Sequence, residues 1–209
     1  MSGQDQALNA RTAALQNLID RRDIGAVLTR YSRALDRADL DLMKSVYWHD
    51  GVDNHGVFNG NAAAFCAFII REIQNWFEVT THNLLNVRIE VEGDHASAET
   101  IHYAYHKVRA EKVGEIFGSR YRAMFDRARL DREHHVFYAG ARYVDLLSRR
   151  NGEWRILQRQ VVSDWNDNGP SGEVLDQGMF ATLQPRGTRD GADLVFANTP
   201  AEAARTGAG

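Results

Sequence analysis

The stretch Val136-Phe-Tyr-Ala-Gly-Ala-Arg-Tyr-Val-Asp-Leu-Leu-Ser148, Arg149-Arg-Asn-Gly152, Glu153-Trp-Arg-Ile-Leu-Gln-Arg-Gln-Val-Val-Ser-Asp-Trp165 decides the fold. Two long runs rich in β-branched and aromatic residues flank Asn151-Gly152, a dipeptide suited to the positive φ of a tight hairpin. The pattern predicts paired strands over 136–148 and 153–165. Upstream, residues 95–108 also alternate. Ala96, Ala98, Thr100, His102, Ala104 and His106 fall on one face, and Ser97, Glu99, Ile101, Tyr103 and Tyr105 on the other. Before them Leu85, Val87, Ile89 and Val91 alternate up to a Glu92-Gly93-Asp94 turn.

The period is different in the first third of the chain. Leu15, Leu18, Ile19, Ala26, Val27, Tyr31, Ala34 and Leu35 recur at spacings of three and four and predict helix over about 12–36. Asp20 and Asp23 beside Gly25 predict a break or second start. Asp39 reads as the N-cap of a short helix through Leu40, Met43, Val46 and Tyr47. His49-Asp50-Gly51 then opens a turn-rich stretch to Gly60, and residues 61–77 predict a third, apolar helix. Residues 109–135, rich in Arg and Glu, read as a helical insertion between strands. From 166 periodicity fades and all three prolines appear (Pro170, Pro185, Pro200), which predicts an extended arm and a loose tail over 169–209. Helices followed by hairpin-joined antiparallel strands form an α+β pattern. A single domain over 1–168 is expected, with the sheet curled around the N-terminal helices and a cavity at one end.

Composition narrows the functions. The 209 residues suffice for one domain with a sizeable core. The net charge of −3 is spread among interspersed acids and bases, which argues against nucleic acid or an anionic membrane as partner. Arg120, Arg122, Arg127, Arg129 and Arg132 are offset by Asp126, Asp131 and Glu133. The single cysteine, Cys66, excludes an intramolecular disulfide and lies in an apolar run, as a buried thiol would. The N-terminus lacks a basic-then-apolar signal pattern and no apolar run approaches the roughly 20 residues that span a bilayer, so a soluble cytoplasmic protein is expected. There is no glycine-rich phosphate loop and no nucleophile elbow.

What remains is acid–base chemistry. Asp36 ends the first helical region and His82 precedes a strand-like run. A carboxylate can orient an imidazole and stabilise its cation, and the free nitrogen can take a proton near neutral pH. Tyr31, five residues before Asp36, is either a hydrogen-bond donor to substrate oxygen or a core tyrosine. His102 and His106 share a face with small alanines, as a cavity wall would, or lie on a solvent-exposed face. Arg142 either turns inward to hold an oxygen or pairs with Asp145 or Asp164. Trp48, Phe65, Phe68, Trp76 and Phe77 are core or pocket wall. His49-Asp50-Gly-Val-Asp53-Asn-His55 holds ligand-type residues but lies in a turn region, so no metal site is expected there. His134-His135 reads as solvated.

These residues carry a family resemblance. Tyr31, Asp36 and Asp39, then the Asp-Gly turn, then Thr81-His82, then Gly140–Asp145, Arg150-Asn-Gly-Glu-Trp154-Arg-Ile156 and Val161–Trp165 follow one another in an order that resembles the SnoaL-like group of the nuclear transport factor 2-like superfamily. The match covers about residues 15–168. It implies a cone-shaped α+β barrel with a deep pocket, assembled as dimers or trimers, and chemistry without a cofactor. The group includes polyketide cyclases, scytalone dehydratase, a bile-acid dehydratase, a hexachlorocyclohexane dehydrochlorinase and lyases of lignin-derived diarylpropanes. Asp36 and His82 match the Asp–His pair of the dehydratases and the dehydrochlorinase, and Tyr31 the tyrosine of the bile-acid dehydratase. The insertion at 109–135 departs from the short loops of smaller members.

The expectation is therefore a cofactor-free lyase acting on a bulky, apolar, hydroxylated and aromatic small molecule, with loss of water or formaldehyde. An isomerase or cyclase, a non-catalytic binding module and an oxygenase small subunit are the rivals, since one fold hosts many functions.

Overall fold

The computed structural model describes residues 2–130, 132–197 and 199. The chain opens with α1 (Gly3–Asp36), capped by Ser2, followed by α2 (Leu40–Ser45), whose N-cap Asp39 accepts from the Leu42 amide. Strands β1 (Tyr47–Asn54) and β2 (Asn59–Asn61) lead to α3 (Ala62–Trp76). The long strands are β3 (Phe77–Glu92), β4 (His95–Val108), β5 (His135–Arg150) and β6 (Glu153–Pro170). Between β4 and β5 the insertion forms a 3-10 turn, α4 (Val113–Arg122) and α5 (Arg127–Leu130).

The six strands make one sheet in the order β2-β1-β6-β5-β4-β3. The hairpin between β5 and β6 turns at Asn151 and Gly152, both at positive φ. The sheet curls around α1 and α3 but stays open, with β2 and β3 as its edges. It is also not wholly antiparallel, because β1 pairs with β6 in parallel. The core joins Ile24, Leu28, Tyr31 and Leu35 of α1 to Phe65 and Ile69 of α3 and to Tyr143, Leu147, Trp154 and Ile156 of the sheet.

Several expectations are corrected. α1 has no break near Gly25. Asp20 starts no second helix; buried, its carboxylate accepts from Arg149 Nη1 at 2.7 Å and Trp154 Nε1 at 2.9 Å, clamping α1 to the hairpin. The short helix stops at Ser45, and the expected turn region is largely β1, drawn into extended form by its pairing with β6. β3 starts at Phe77, so His82 lies within the strand. A register shift between Leu84 and Val87 leaves Leu85 and Val87 exposed.

The tail is not loose as far as Ala197. Its residues fold back on α1 and β3, with Arg37 Nη1 donating to Thr188 O at 2.8 Å and to Asp193 Oδ2 at 3.0 Å. Residues 198 and 200–209 of the expected tail lie outside the described residues. His135 is buried, with Nδ1 at 2.8 Å from the Tyr121 hydroxyl, because the insertion packs over it. Cys66 is buried as expected, and burial pushes its thiol up to about 12.

Candidate active site

Asp36 is the last residue of α1, where the helix end meets β3. Its Oδ1 lies 2.7 Å from His82 Nδ1 and accepts from the Thr80 hydroxyl at 2.9 Å, while Oδ2 accepts from the His82 amide at 2.9 Å. Burial opposes ionisation of Asp36. The hydrogen bonds and charge of His82, helped by Thr80, outweigh it and hold the carboxyl below its usual range. With Nδ1–H donated to Asp36, His82 Nε2 is left as an acceptor.

His82 lines a cavity of about 380 Å³ inside the cone. This is within the usual range for a small-molecule pocket, roughly 300–1,000 Å³. The walls are mostly apolar, with Ile69, Ile73, Trp76, Phe77, Phe137 and Val161 among them. The polar groups are His82, His102, His106, His55, Tyr143, Ser163 and Glu115.

His102 and His106 therefore face the cavity, on the alanine-bearing side of β4. His106 stacks on Phe137 with centroids 4.0 Å apart, and His102 on Tyr143 at 4.1 Å. Burial is the main cause that lowers both, with the nearby His82 next. His102 falls to about 3 and His106 well below the usual histidine value. Both are neutral at pH 7, and their Nδ1 atoms have no hydrogen-bond partner among the described residues.

Three other candidates do not reach the cavity. Tyr31 is fully buried behind its wall, edge-on to Tyr47 and Tyr143, with the Arg159 guanidinium 3.9 Å from its ring centre. Desolvation raises its phenol well above the usual value. Arg142 lies on the outer face, because the inward parity of β5 belongs to Phe137, Ala139, Ala141 and Tyr143. Its guanidinium grips Asp164 through bonds of 3.0 and 2.9 Å. Trp48 donates to Ser148 O at 3.0 Å and lies under Arg150 and Arg155, away from the cavity.

His55 takes a place that the sequence did not assign. Its Nδ1 is 3.2 Å from Oδ1 of the buried Asp53, whose Oδ2 accepts from the Tyr47 hydroxyl at 2.6 Å. Its ring stacks on Phe65 at 5.0 Å and lines the same cavity as His82. The cavity thus holds two carboxylate–imidazole pairs. The available signal was the two-residue spacing Asp53-x-His55, which puts both side chains on one side of an extended chain.

The insertion completes the enclosure. Glu115 and Ile116 line the cavity, and Glu115 Oε1 accepts from Trp76 Nε1 at 3.0 Å. Gly118, at φ +78°, kinks α4 so that Phe117 and Tyr121 pack on His135. Among the described residues no group of three or more His, Cys, Asp or Glu side chains is arranged to hold a metal, and no helix is long and apolar enough to cross a membrane.

Comparison with known proteins agrees with this architecture. The crystal structure of a hexachlorocyclohexane dehydrochlorinase, LinA type 3 from Novosphingobium barchaimii, superposes with a TM-score of 0.60 at 14% identity, covering 77% of this chain and 96% of that one. A candidate scytalone dehydratase from Novosphingobium aromaticivorans gives 0.55 at 17% identity, covering 72% and 88%. A protein from Kribbella flavida gives 0.57 at 17% identity, covering 72% and 95%. At these identities the likeness is one of fold. No curated protein matches the sequence. The model of the SnoaL-like domain matches residues 16–160, and the chain belongs to that family.

Proposed function

We propose that the protein is a cofactor-independent lyase that uses Asp36 and His82 to remove a proton from a bulky, hydroxylated, aromatic small molecule, with loss of water or formaldehyde. The observation that carries this is the 2.7 Å contact of Asp36 with His82 Nδ1, which leaves Nε2 as the acceptor on an apolar cavity. The aromatic and aliphatic walls favour a ligand with aromatic rings, of which a diarylpropane is the type.

In a dehydration, His82 Nε2 takes a proton from carbon, the C–O bond breaks and a double bond forms. A protonated His55, held by Asp53, gives that proton to the departing oxygen, which leaves as water. In a carbon–carbon cleavage, His82 takes the proton of a primary hydroxyl, formaldehyde leaves, and the electron pair left on the neighbouring carbon is protonated by His55. His102 is neutral and serves as a hydrogen-bonding partner for a hydroxyl or carbonyl oxygen rather than as a charge. The resemblance further supports assembly as a homodimer or homotrimer, which light scattering measures.

The test is incubation of the purified protein with hydroxylated diaryl, steroid and polyketide compounds, read by product mass. Loss of about 18 Da identifies a dehydratase and of about 30 Da a formaldehyde-releasing lyase. A product of unchanged mass would mean an isomerase or cyclase. Turnover that survives both His82→Ala and Asp36→Ala would overturn the proposal.

A further inference from the structure

Arg189 reaches the back of the Asp36–His82 pair from the C-terminal arm, beyond the residues that the family model matches. Its Nη1 donates to the Ile73 and Phe77 carbonyls at 3.0 and 3.1 Å, and its Nη2 donates to the Thr80 hydroxyl. A guanidinium donates only, so Thr80 must accept from Arg189 and spend its single proton elsewhere. That proton goes to Asp36 Oδ1, 2.9 Å away. The chain of contacts Arg189–Thr80–Asp36–His82 is continuous.

We propose that Arg189 is a positioning residue for the proton-accepting pair: it fixes the direction of the Thr80 hydroxyl and places a positive charge behind Asp36. The charge steadies the Asp36 carboxylate, which in turn holds the imidazole by Nδ1. Arg189 is itself lowered, mainly by burial, to about 10, and so remains charged at neutral pH.

The other groups around His82 do not duplicate this role. His102 and His106 on β4 face it with ring centroids 6.3 and 5.1 Å away, and both are neutral. Burial raises the Tyr143 phenol on β5 well above its usual value, so it carries no charge. Arg37, next to Asp36, is neutralised by Asp193, and Arg109 turns its Nε to the Gln74 carbonyl. The arm carrying Arg189 is pinned by the same Arg37–Asp193 pair, and Lys107 holds Glu173 at 2.5 Å near its start. Docking of the arm is thereby linked to the state of the base.

The inference rests on Asp36–His82 as the working base, and its test needs no substrate. The His82 ring nitrogens are followed by NMR against pH in the full chain, in Arg189→Lys and in Arg189→Gln, which keeps an amide to donate to the two carbonyls. Arg189→Lys is expected to titrate with the parent chain. Arg189→Gln is expected to move the midpoint to higher pH by about one unit, the size of a removed neighbouring charge in a partly screened site. An unmoved midpoint in Arg189→Gln would overturn the proposal and leave the lyase assignment intact. Failure of every compound to turn over, with the midpoint moved, would do the reverse.

Discussion

Asp145 and Arg159 are direct cross-strand partners on β5 and β6, both wholly buried, joined by two hydrogen bonds of 2.7 Å. The guanidinium is also stacked between Tyr31 and Tyr143, with ring centroids 3.9 and 4.2 Å away. Burial opposes its charge, and Asp145 together with the nearby tyrosines overcomes this. Removing one partner strands the other as an unpaired buried charge. Asp145→Ala or Arg159→Met should therefore cost about 3–5 kcal/mol in urea unfolding. The double variant Asp145→Leu/Arg159→Met should recover much of that loss.

Asp36→Asn keeps the shape of the side chain but removes its charge and lets it present N–H where the imidazole needs an acceptor. Turnover of any substrate found should fall by about 10²–10⁴, the usual scale for a lost acid–base group. Circular dichroism should be unchanged. Equal activity in the variant would dismiss Asp36 as the partner of His82.

His55→Gln should separate substrates by leaving group. Departure of hydroxide needs a proton, so a hydroxyl substrate should slow by about 10²-fold, while an analogue losing chloride should slow far less. A uniform loss across leaving groups would place His55 in binding instead of proton transfer.

His102 and His106 set an acid limit on stability. Both are depressed in the folded state, His102 to about 3, so the unfolded chain binds protons that the folded chain refuses. Their contribution is complete above the ordinary histidine value near 6.5. Below it the loss is roughly 1.4 kcal/mol per pH unit for each ring, for His102 down to its folded value. Urea unfolding from pH 7 to 5 should show this slope, and His106→Phe, stacked on Phe137, should reduce it.

Gly140 lies directly across from Trp165, and a Cβ on it would sit 2.1 Å from the indole. Gly140→Val should therefore expel Trp165 from the outer face, where it adjoins Tyr103, and shift tryptophan emission to the red. The cavity lies on the opposite face, so ligand binding should change little.

Alternation and periodicity were enough to read α1, α3 and the four long strands, because those patterns are local. The Asp36–His82 contact was legible only through resemblance, since nothing local joins a helix end to a strand 46 residues later. Inward parity on β5 could not be read from alternation. Phe137 and Tyr143 stand on one face, Tyr138 and Val144 on the other, and both sets look apolar. The choice is settled by the β4 partners, which put Tyr143 against His102 and leave Arg142 outside. His55 and Asp53 were hidden for a related reason. Asp, Gly and Asn dominate that segment and read as turns, while the strand pairing that extends it comes from the far end of the chain.

The parallel ladder of β1 with β6 also governs how this molecule comes into being. Val52 aligns with Gln158, so an early strand completes its hydrogen bonds only with one of the last elements. A ribosome making the chain from its N-terminus releases α1, β1 and α3 long before β6 emerges. Asp53, His55 and Tyr47 must wait for Arg159 and its neighbours, with an unmet strand edge exposed meanwhile. Such distant pairing slows folding and prolongs the interval in which nascent chains can adhere to one another. Yield on refolding should accordingly depend on protein concentration more than the stability of the finished fold would suggest.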